Sequence, residues 1–221
     1  MIPELNGSLR KNLIILPKAV EEASGIRING KLIKSLLFST DVAIIRNTNA
    51  DAIIAVYPFT PQPIITEALM LAAQVPVFCG VGGGTTSGQR VINLALHAEF
   101  QGAIGVVVNA PIPNKILNRI AKTVDIPIVV TVVSTEENIT ERIANGAQIL
   151  NISGAHQTPA IVRKIRENHI DIPIIATGGP SESTILETIR AGANAITYTP
   201  PTNGEIFRNL MNKYRDTMKS C

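Results

Sequence analysis

The stretch IPIIATGGPSESTILETIRAGANAITYT, residues 172–199, contains the repeating unit that decides the fold. It begins with an apolar, β-branched run, turns through two glycines, and continues with apolar residues at three- and four-residue steps until a second β-branched run begins at residue 194. A helical period between two short apolar runs predicts strand, helix and strand. Because a helix connects them, the two strands are expected to lie parallel in one sheet.

The same order of strand and helix recurs from residue 34 onward. Eight apolar runs are predicted strands, at residues 34–40, 51–57, 75–80, 103–109, 126–132, 148–153, 172–178 and 194–199. Helical patterns lie between them, for example at 42–49, 63–74, 114–124, 138–146, 159–168 and 183–192, with a last one at 204–216. This alternation predicts an α/β protein with a single (β/α)8 barrel at 34–221, in which the last helix closes the ring against the first unit. Residues 1–33 precede the repeat and are predicted to cap the bottom of the barrel.

Composition agrees with one domain and excludes several classes of partner. The 221 residues are 45% hydrophobic and 17% charged, as expected for parallel strands buried on both faces. The net charge is +3, but lysine and arginine form no run, so we expect no nucleic-acid partner. Two cysteines and three histidines predict no metal site. Without a signal-peptide pattern or a bilayer-length apolar run, we expect a cytoplasmic protein with no membrane partner.

Catalytic candidates follow from the position of the strand ends. In such barrels the chemistry takes place at the C-terminal ends of the strands. Asp41 follows the first predicted strand and His156 follows the sixth, and both side chain types exchange protons in general acid-base catalysis. An alternative stays open for each residue, because either side chain could simply cap the helix that follows it.

Ligand-binding candidates lie at the same strand ends and offer backbone N–H groups, amides or hydroxyls. In the seventh unit, glycines precede Ser181, an N-cap residue that begins a helix whose free N–H groups face the barrel mouth. Alternatively, the glycines only permit tight turns. The predicted binding residues are Gly82, Gly83, Gly84, Asn109, Asn151, Thr177, Gly178, Gly179, Ser181 and Thr199.

The phrase IPIIATGG-x-S at 172–181, followed by AGANAI at 191–196, resembles the phosphate-binding, or ribulose-phosphate-binding, TIM barrels. That superfamily includes sugar-phosphate epimerases and isomerases of histidine and tryptophan biosynthesis, and the resemblance covers roughly residues 100–200. It implies a small phosphorylated or otherwise anionic metabolite and a metal-free isomerase, epimerase or lyase that requires no cofactor. Pro200 and Pro201 depart from the pattern, because the family places a glycine there and proline has no N–H.

Other functions remain open from the sequence. GAQILNISGAHQT, residues 146–158, is similar to FMN barrels of the nitronate-oxidising and enoyl-reducing kind, which implies FMN with His156 beside its ring and Asn109 and Asn151 bonding it. The glycines at 82–84 lie in the third unit, opposite the seventh, so the two loops could hold two anionic ends of one ligand. A hydrolase, a non-catalytic ligand-sensing barrel and association into a homo-oligomer are further alternatives.

Overall fold

The computed structural model describes residues 13–219 and contains a closed barrel of eight parallel strands. Strands β1 (Ile26–Ile28) and β2 (Lys31–Ile33) form an antiparallel hairpin before it. The barrel strands follow in chain order, and β10 pairs with β3 to close the ring. The predicted (β/α)8 fold is therefore confirmed. The barrel strands are β3 (Ser35–Phe38), β4 (Ala52–Ala55), β5 (Val77–Gly82), β6 (Gly105–Val108), β7 (Ile128–Val132), β8 (Ile149–Ile152), β9 (Ile174–Thr177) and β10 (Ala195–Tyr198).

A helix follows each barrel strand. Within residues 13–219, no helix combines the length and the hydropathy that crossing a bilayer requires. Two short 3₁₀ helices, Lys18–Glu22 and Ala155–Gln157, complete the described elements. The α-helices are α1 (Val42–Arg46), α2 (Pro63–Ala72), α3 (Gln89–Phe100), α4 (Asn114–Ala121), α5 (Ile139–Ala144), α6 (Thr158–Asn168), α7 (Glu182–Arg190) and α8 (Asn203–Lys219).

Alternate residues of the strands fill the barrel interior. One buried cluster joins inward side chains of all eight strands, among them Phe78 and Val107. Gly105 makes room for Phe78, because a Cβ at Gly105 would lie 2.8 Å from the Phe78 ring. Ile28 and Ile33 of the hairpin belong to the same cluster, so the hairpin closes the N-terminal end of this interior. The division into a cap at 1–33 and a barrel at 34–221 stays a prediction, since residues 1–12 lie outside the described part.

The segment between residues 14 and 23 lies on the flank of the barrel. Leu16 and Val20 are buried in the outer cluster together with Leu37 and Ile196, the outward-facing residues of β3 and β10. The first 3₁₀ helix packs against α7, and Ile14 pairs with the chain just after α1. This segment therefore fills the space between α7 and α1, where a regular barrel places its eighth helix.

The structure corrects the expected position of the last helix. We expected residues 204–216 to close the ring against the first unit, but every described residue of α8 from Met211 onward is exposed. Only the beginning of α8 contacts the barrel, through Asn203 at the mouth and Ile206 against the outer cluster. The physical reason is that the flank beside α1 is already occupied by residues 14–23.

Arg166 of α6 connects three segments at the N-terminal end of the barrel. Its guanidinium donates to three carbonyls of residues 169–172 at 2.6–3.1 Å, to the carbonyl of Gly192 at 2.9 Å and to Oδ1 of Asn194 at 2.7 Å. Burial lowers the pKa of Arg166, and the nearby Asp171 carboxylate opposes that effect. Arginine stays charged even so, and one planar group satisfies all these acceptors.

Candidate functional site

Two cavities open at the C-terminal mouth of the barrel. The first, which we name the Asp41 cavity, has a volume of about 570 Å³ and lies between the loops after β3 and β4 and the start of α8. The second, the Arg208 cavity, has a volume of about 770 Å³ and lies beside the loop after β9 and the outer side of α8. Residues 199–201 form a wall common to both. Both volumes fall in the range of about 300–1,000 Å³ that small-molecule sites occupy.

Asp41 caps α1 and also lines the cavity named after it. Its Oδ1 accepts hydrogen bonds from the N–H groups of Ala43 at 2.9 Å and Ile44 at 3.2 Å. Its Oδ2 accepts a hydrogen bond from the Asn203 amide at 2.5 Å. Asp41 therefore caps α1, which was the alternative role that the sequence left open. The half-buried carboxylate nevertheless borders the cavity, where Tyr57 is the other ionisable lining residue.

His156 lies away from Asp41. It belongs to the 3₁₀ helix after β8, its side chain is exposed, and it lines neither cavity. Among the described residues, the His156 imidazole forms no hydrogen bond, so it does not cap the following helix. The structure therefore does not bring the predicted acid-base pair together.

The glycines after β5 are required by the path of the chain. Gly82 and Gly83 have φ values of +111° and +107°, which favour glycine. A Cβ on Gly83 would lie 2.9 Å from the Asn109 backbone nitrogen, and the Gly83 N–H donates to the Thr86 carbonyl at 2.9 Å. The loop therefore folds onto itself and onto the end of β6. Gly84 borders the small space that remains, about 70 Å³.

The same geometry tests the expected FMN site. The space beside the glycines after β5, about 70 Å³, is far below the roughly 300 Å³ at which small-molecule sites begin, so it is too small for a three-ring system. The histidine expected beside the ring, His156, is exposed to solvent. The glycines after β5 and His156 therefore do not form the predicted flavin site.

The loop after β9 has one glycine for packing and one beside the Arg208 cavity. A Cβ on Gly178 would lie 2.7 Å from Ile185, so Gly178 permits α7 to pack closely. Gly179 has a φ of +77° and lines the cavity. Ser181 is occupied as the N-cap of α7, where its hydroxyl accepts from the Thr184 N–H at 3.3 Å. The predicted role of Ser181 in ligand binding is therefore not supported by its contacts.

Arg208 on α8 contributes a positive charge that the sequence analysis missed. Its side chain lines the Arg208 cavity together with Gly179, Thr197 and Thr199. The position of Arg208, about one and a half turns into the helix after the eighth strand, was the available signal. Glu205 of the same cavity caps α8, and its pKa is lowered mainly because the Thr202 backbone N–H donates to it, then by the Thr202 hydroxyl.

A row of neutral polar side chains lines the upper barrel interior. Each of the five adjacent strands β6 to β10 contributes one of these side chains. In every case it lies two residues after a residue that faces the barrel interior, so it points to the interior as well. We name this row the polar arc. Thr197, which lies in the run at 194–199 assigned to the eighth strand, was missed as a binding candidate. The polar arc consists of Asn109, Thr131, Asn151, Thr177 and Thr197.

Two atoms of the polar arc are buried without a partner. Asn151 is 9% exposed and Thr197 is 6% exposed. Among the described residues, neither Oδ1 of Asn151 nor Oγ1 of Thr197 has a hydrogen-bond partner. An unpaired buried polar group costs about 1–3 kcal/mol, and native proteins contain few of them. Thr177 and Thr197 also line the Arg208 cavity, so the polar arc forms part of its floor.

We expect a Thr197→Val variant to be as stable as the parent or more stable, by up to about 2 kcal/mol, because it removes an unpaired buried hydroxyl. A buried threonine with a satisfied hydroxyl provides the control. Thr158 is 1% exposed and its Oγ1 accepts from the Gly154 N–H at 3.1 Å, so Thr158→Val should lose about 1–3 kcal/mol. Denaturant unfolding measures both changes, and a Thr197→Val loss as large as that of the control would contradict this reading.

Cysteine and metal chemistry receive no support from the described residues. Burial raises the pKa of the Cys79 thiol to about 12, so this thiol stays protonated at neutral pH and is a poor nucleophile. Between residues 13 and 219, no three His, Cys, Asp or Glu side chains come together as a group that could hold a metal ion.

Comparison with known proteins establishes the fold. No family model and no curated protein matches the chain. Solved structures do: a 2,3-dimethylmalate lyase is 12% identical with a TM-score of 0.63, over 96% of this chain and 86% of that one. A phosphoenolpyruvate phosphomutase from Streptomyces platensis subsp. rosaceus is 14% identical with a TM-score of 0.62, over 92% and 85%. A thiamine phosphate pyrophosphorylase from Pyrococcus furiosus is 21% identical with a TM-score of 0.56, over 75% and 84%. At these identities the likeness shows the TIM-barrel fold and does not single out the ribulose-phosphate-binding superfamily.

Proposed function

We propose that this chain is an enzyme of the lyase or isomerase type that binds a phosphorylated or otherwise anionic metabolite at the mouth of its barrel. The observation that carries the proposal is the pair of unpartnered, buried polar atoms of Asn151 and Thr197 in the polar arc. Unpaired polar atoms in a protein core lower its stability. Such atoms are typical of functional sites, where a ligand can pair with them.

The anionic end of the ligand belongs in the Arg208 cavity. Gly179 and Pro180 border this cavity and lead into the N-cap of α7, and a helix N-terminus favours negative charge. Arg208 adds a guanidinium, which binds phosphate or carboxylate with two parallel hydrogen bonds. This side chain supplies the donors that Pro200 and Pro201 cannot provide from the backbone.

The neutral part of the ligand belongs against the polar arc. Amides and hydroxyls without any charged side chain suit the hydroxyl and carbonyl groups of a sugar or a keto acid. Since Thr177 and Thr197 belong to both the polar arc and the Arg208 cavity, one ligand can use both surfaces.

Proton transfer is assigned to Asp41. Isomerases, epimerases and many lyases share one step, in which a base removes a proton from the carbon next to a carbonyl. The Asp41 carboxylate would take that proton and return it to a neighbouring atom, while the Asn109 amide, which lines the same cavity, donates to the enolate oxygen. The three enzymes of like fold named above support an enzymatic role, since TIM barrels carry out their chemistry at this end.

Thermal unfolding tests the anionic site. Inorganic phosphate and ribose 5-phosphate should raise the unfolding temperature of the parent, because a ligand that binds only the folded state stabilises it. An Arg208→Gln variant should lose most of this rise. A Lys213→Gln variant should keep the rise in unfolding temperature. This substitution removes the same charge from α8, but Lys213 does not line the cavity. FMN is expected to give no shift.

Two results would decide against the proposal. If neither anion stabilises the parent, the anionic site is absent and a different ligand class is required. If FMN stabilises the protein and gives a yellow complex, the chain is an oxidoreductase of the alternative kind.

A further inference from the structure

Helix α8 carries an apolar stripe that no residue in the described part of the chain covers. The side chains of the stripe recur at steps of four, three and four residues, which places them on one face of the helix. They are 64%, 42%, 55% and 78% exposed in chain order. The α8 stripe consists of Phe207, Met211, Tyr214 and Met218.

A helix in this position needs a partner. Residues 14–23 occupy the flank against which α8 would otherwise pack, and only the beginning of α8 rests on the barrel. Most of the stability of a helix in a protein comes from packing its apolar face against another element. Within residues 13–219, the α8 stripe is therefore left without an intramolecular partner.

A matching uncovered surface lies on α2. Ile64 and Leu71 are 66% and 77% exposed on one face of this helix, with the exposed Ala68 between them. Phe59 before α2 and Phe100 at the end of the adjacent α3 are each 74% exposed and extend the surface at its two ends. We name these five residues the α2 strip.

The two surfaces are elongated and carry opposite charges beside them. The α8 stripe covers twelve residues, about 16 Å from Phe207 to Met218 at 1.5 Å per residue, and the helical part of the α2 strip, from Ile64 to Leu71, covers about 10 Å. Glu67 is exposed on the α2 face and is the single charged residue of that helix. On α8, Arg215 flanks the stripe and is exposed. Opposite charges beside two apolar strips favour one orientation of contact.

We propose that the protein is a homodimer in which α8 of each copy lies along the α2 strip of the other. A two-fold axis forms this contact twice, so all the exposed apolar residues of both surfaces become buried. The docked α8 is held rigidly, and with it Arg208 at the wall of its cavity. The ligand site and the dimer are thus connected through one helix.

Sedimentation velocity tests the dimer on the full chain. The parent should sediment as a dimer, while Met211→Glu and Leu71→Glu should each give monomers, because a carboxylate would be buried in the contact. Lys213→Glu is the matched control, since Lys213 is exposed on the side of α8 away from the stripe and this variant should remain dimeric. All three substitutions are at exposed positions, and circular dichroism confirms that each variant is folded.

A charge exchange tests the orientation. Glu67→Arg places like charges opposite Arg215 and should weaken the dimer about tenfold or more, and adding Arg215→Glu should restore it. The proposal is overturned if the parent is monomeric at all concentrations, if Met211→Glu remains dimeric, or if Leu71→Glu does. It is equally overturned if the double exchange restores nothing, since α8 would then lie on a surface other than α2.

Discussion

An Arg166→Met variant is expected to lose about 1–3 kcal/mol of stability, because the carbonyl and amide acceptors around this half-buried guanidinium lose their donor. The guanidinium donates to carbonyls of residues 169–172, to Gly192 and to Asn194, which belong to the joins before β9 and β10. Methionine keeps much of the apolar volume but leaves those acceptors unpaired, at about 1–3 kcal/mol for each one that stays buried.

A second arginine of the same helix provides the control. Arg163 forms an ion pair with Glu187 at 3.5 Å, with both side chains more than half exposed. Exposed ion pairs contribute about 0–1 kcal/mol, so Arg163→Met should unfold at nearly the denaturant concentration of the parent. Guanidinium unfolding followed by circular dichroism compares the two variants. Equal midpoints would show that the network around Arg166 contributes no more than a surface pair.

An Asp41→Asn variant is expected to lose about 10²- to 10⁴-fold in activity, the usual contribution of a positioned acid-base group. Deuterium exchange measures this without knowledge of the product: in D₂O, an enzyme that removes a proton next to a carbonyl introduces deuterium there, which NMR detects. Sugar phosphates and keto acids form the panel. Asparagine caps a helix as well as aspartate does, so α1 keeps its N-cap and the change affects proton transfer.

The His156→Ala variant tests whether His156 takes part in proton transfer, as the sequence predicts. His156 is exposed and lines neither cavity, so its replacement should leave the exchange rate unchanged. A loss equal to that of Asp41→Asn would restore the acid-base pair predicted from the sequence. If the parent exchanges no deuterium into any member of the panel, the isomerase or lyase assignment fails and ligand sensing is the better function.

The barrel was predictable because its signal is repeated eight times. Each unit joins a β-branched run to a helical period, and the alternation alone selects the fold. The position of α8 was not predictable in this way. A periodic apolar face shows that Phe207 and Met211 need cover, but it does not say which chain provides it.

Details of the site depended on contacts between distant parts of the chain. Asp41 was identified by its place after a strand, whereas its hydrogen bond to Asn203 joins residues 162 positions apart. His156 follows a strand as well, but the loop turns at Ala155, where φ is +51°, and the imidazole is exposed. Thr197 could have been found from the sequence, since it lies two residues beyond the inward-facing Ala195 and strand side chains alternate.

A crystal structure of the protein with ribose 5-phosphate would show whether one ligand binds both the Arg208 cavity and the polar arc. We expect the phosphate to lie between Gly179 and the Arg208 guanidinium, with sugar hydroxyls within hydrogen-bond distance of Asn151 Oδ1 and Thr197 Oγ1. A sugar phosphate bound on another face of the barrel, with those two atoms bonded only to ordered water, would contradict this expectation.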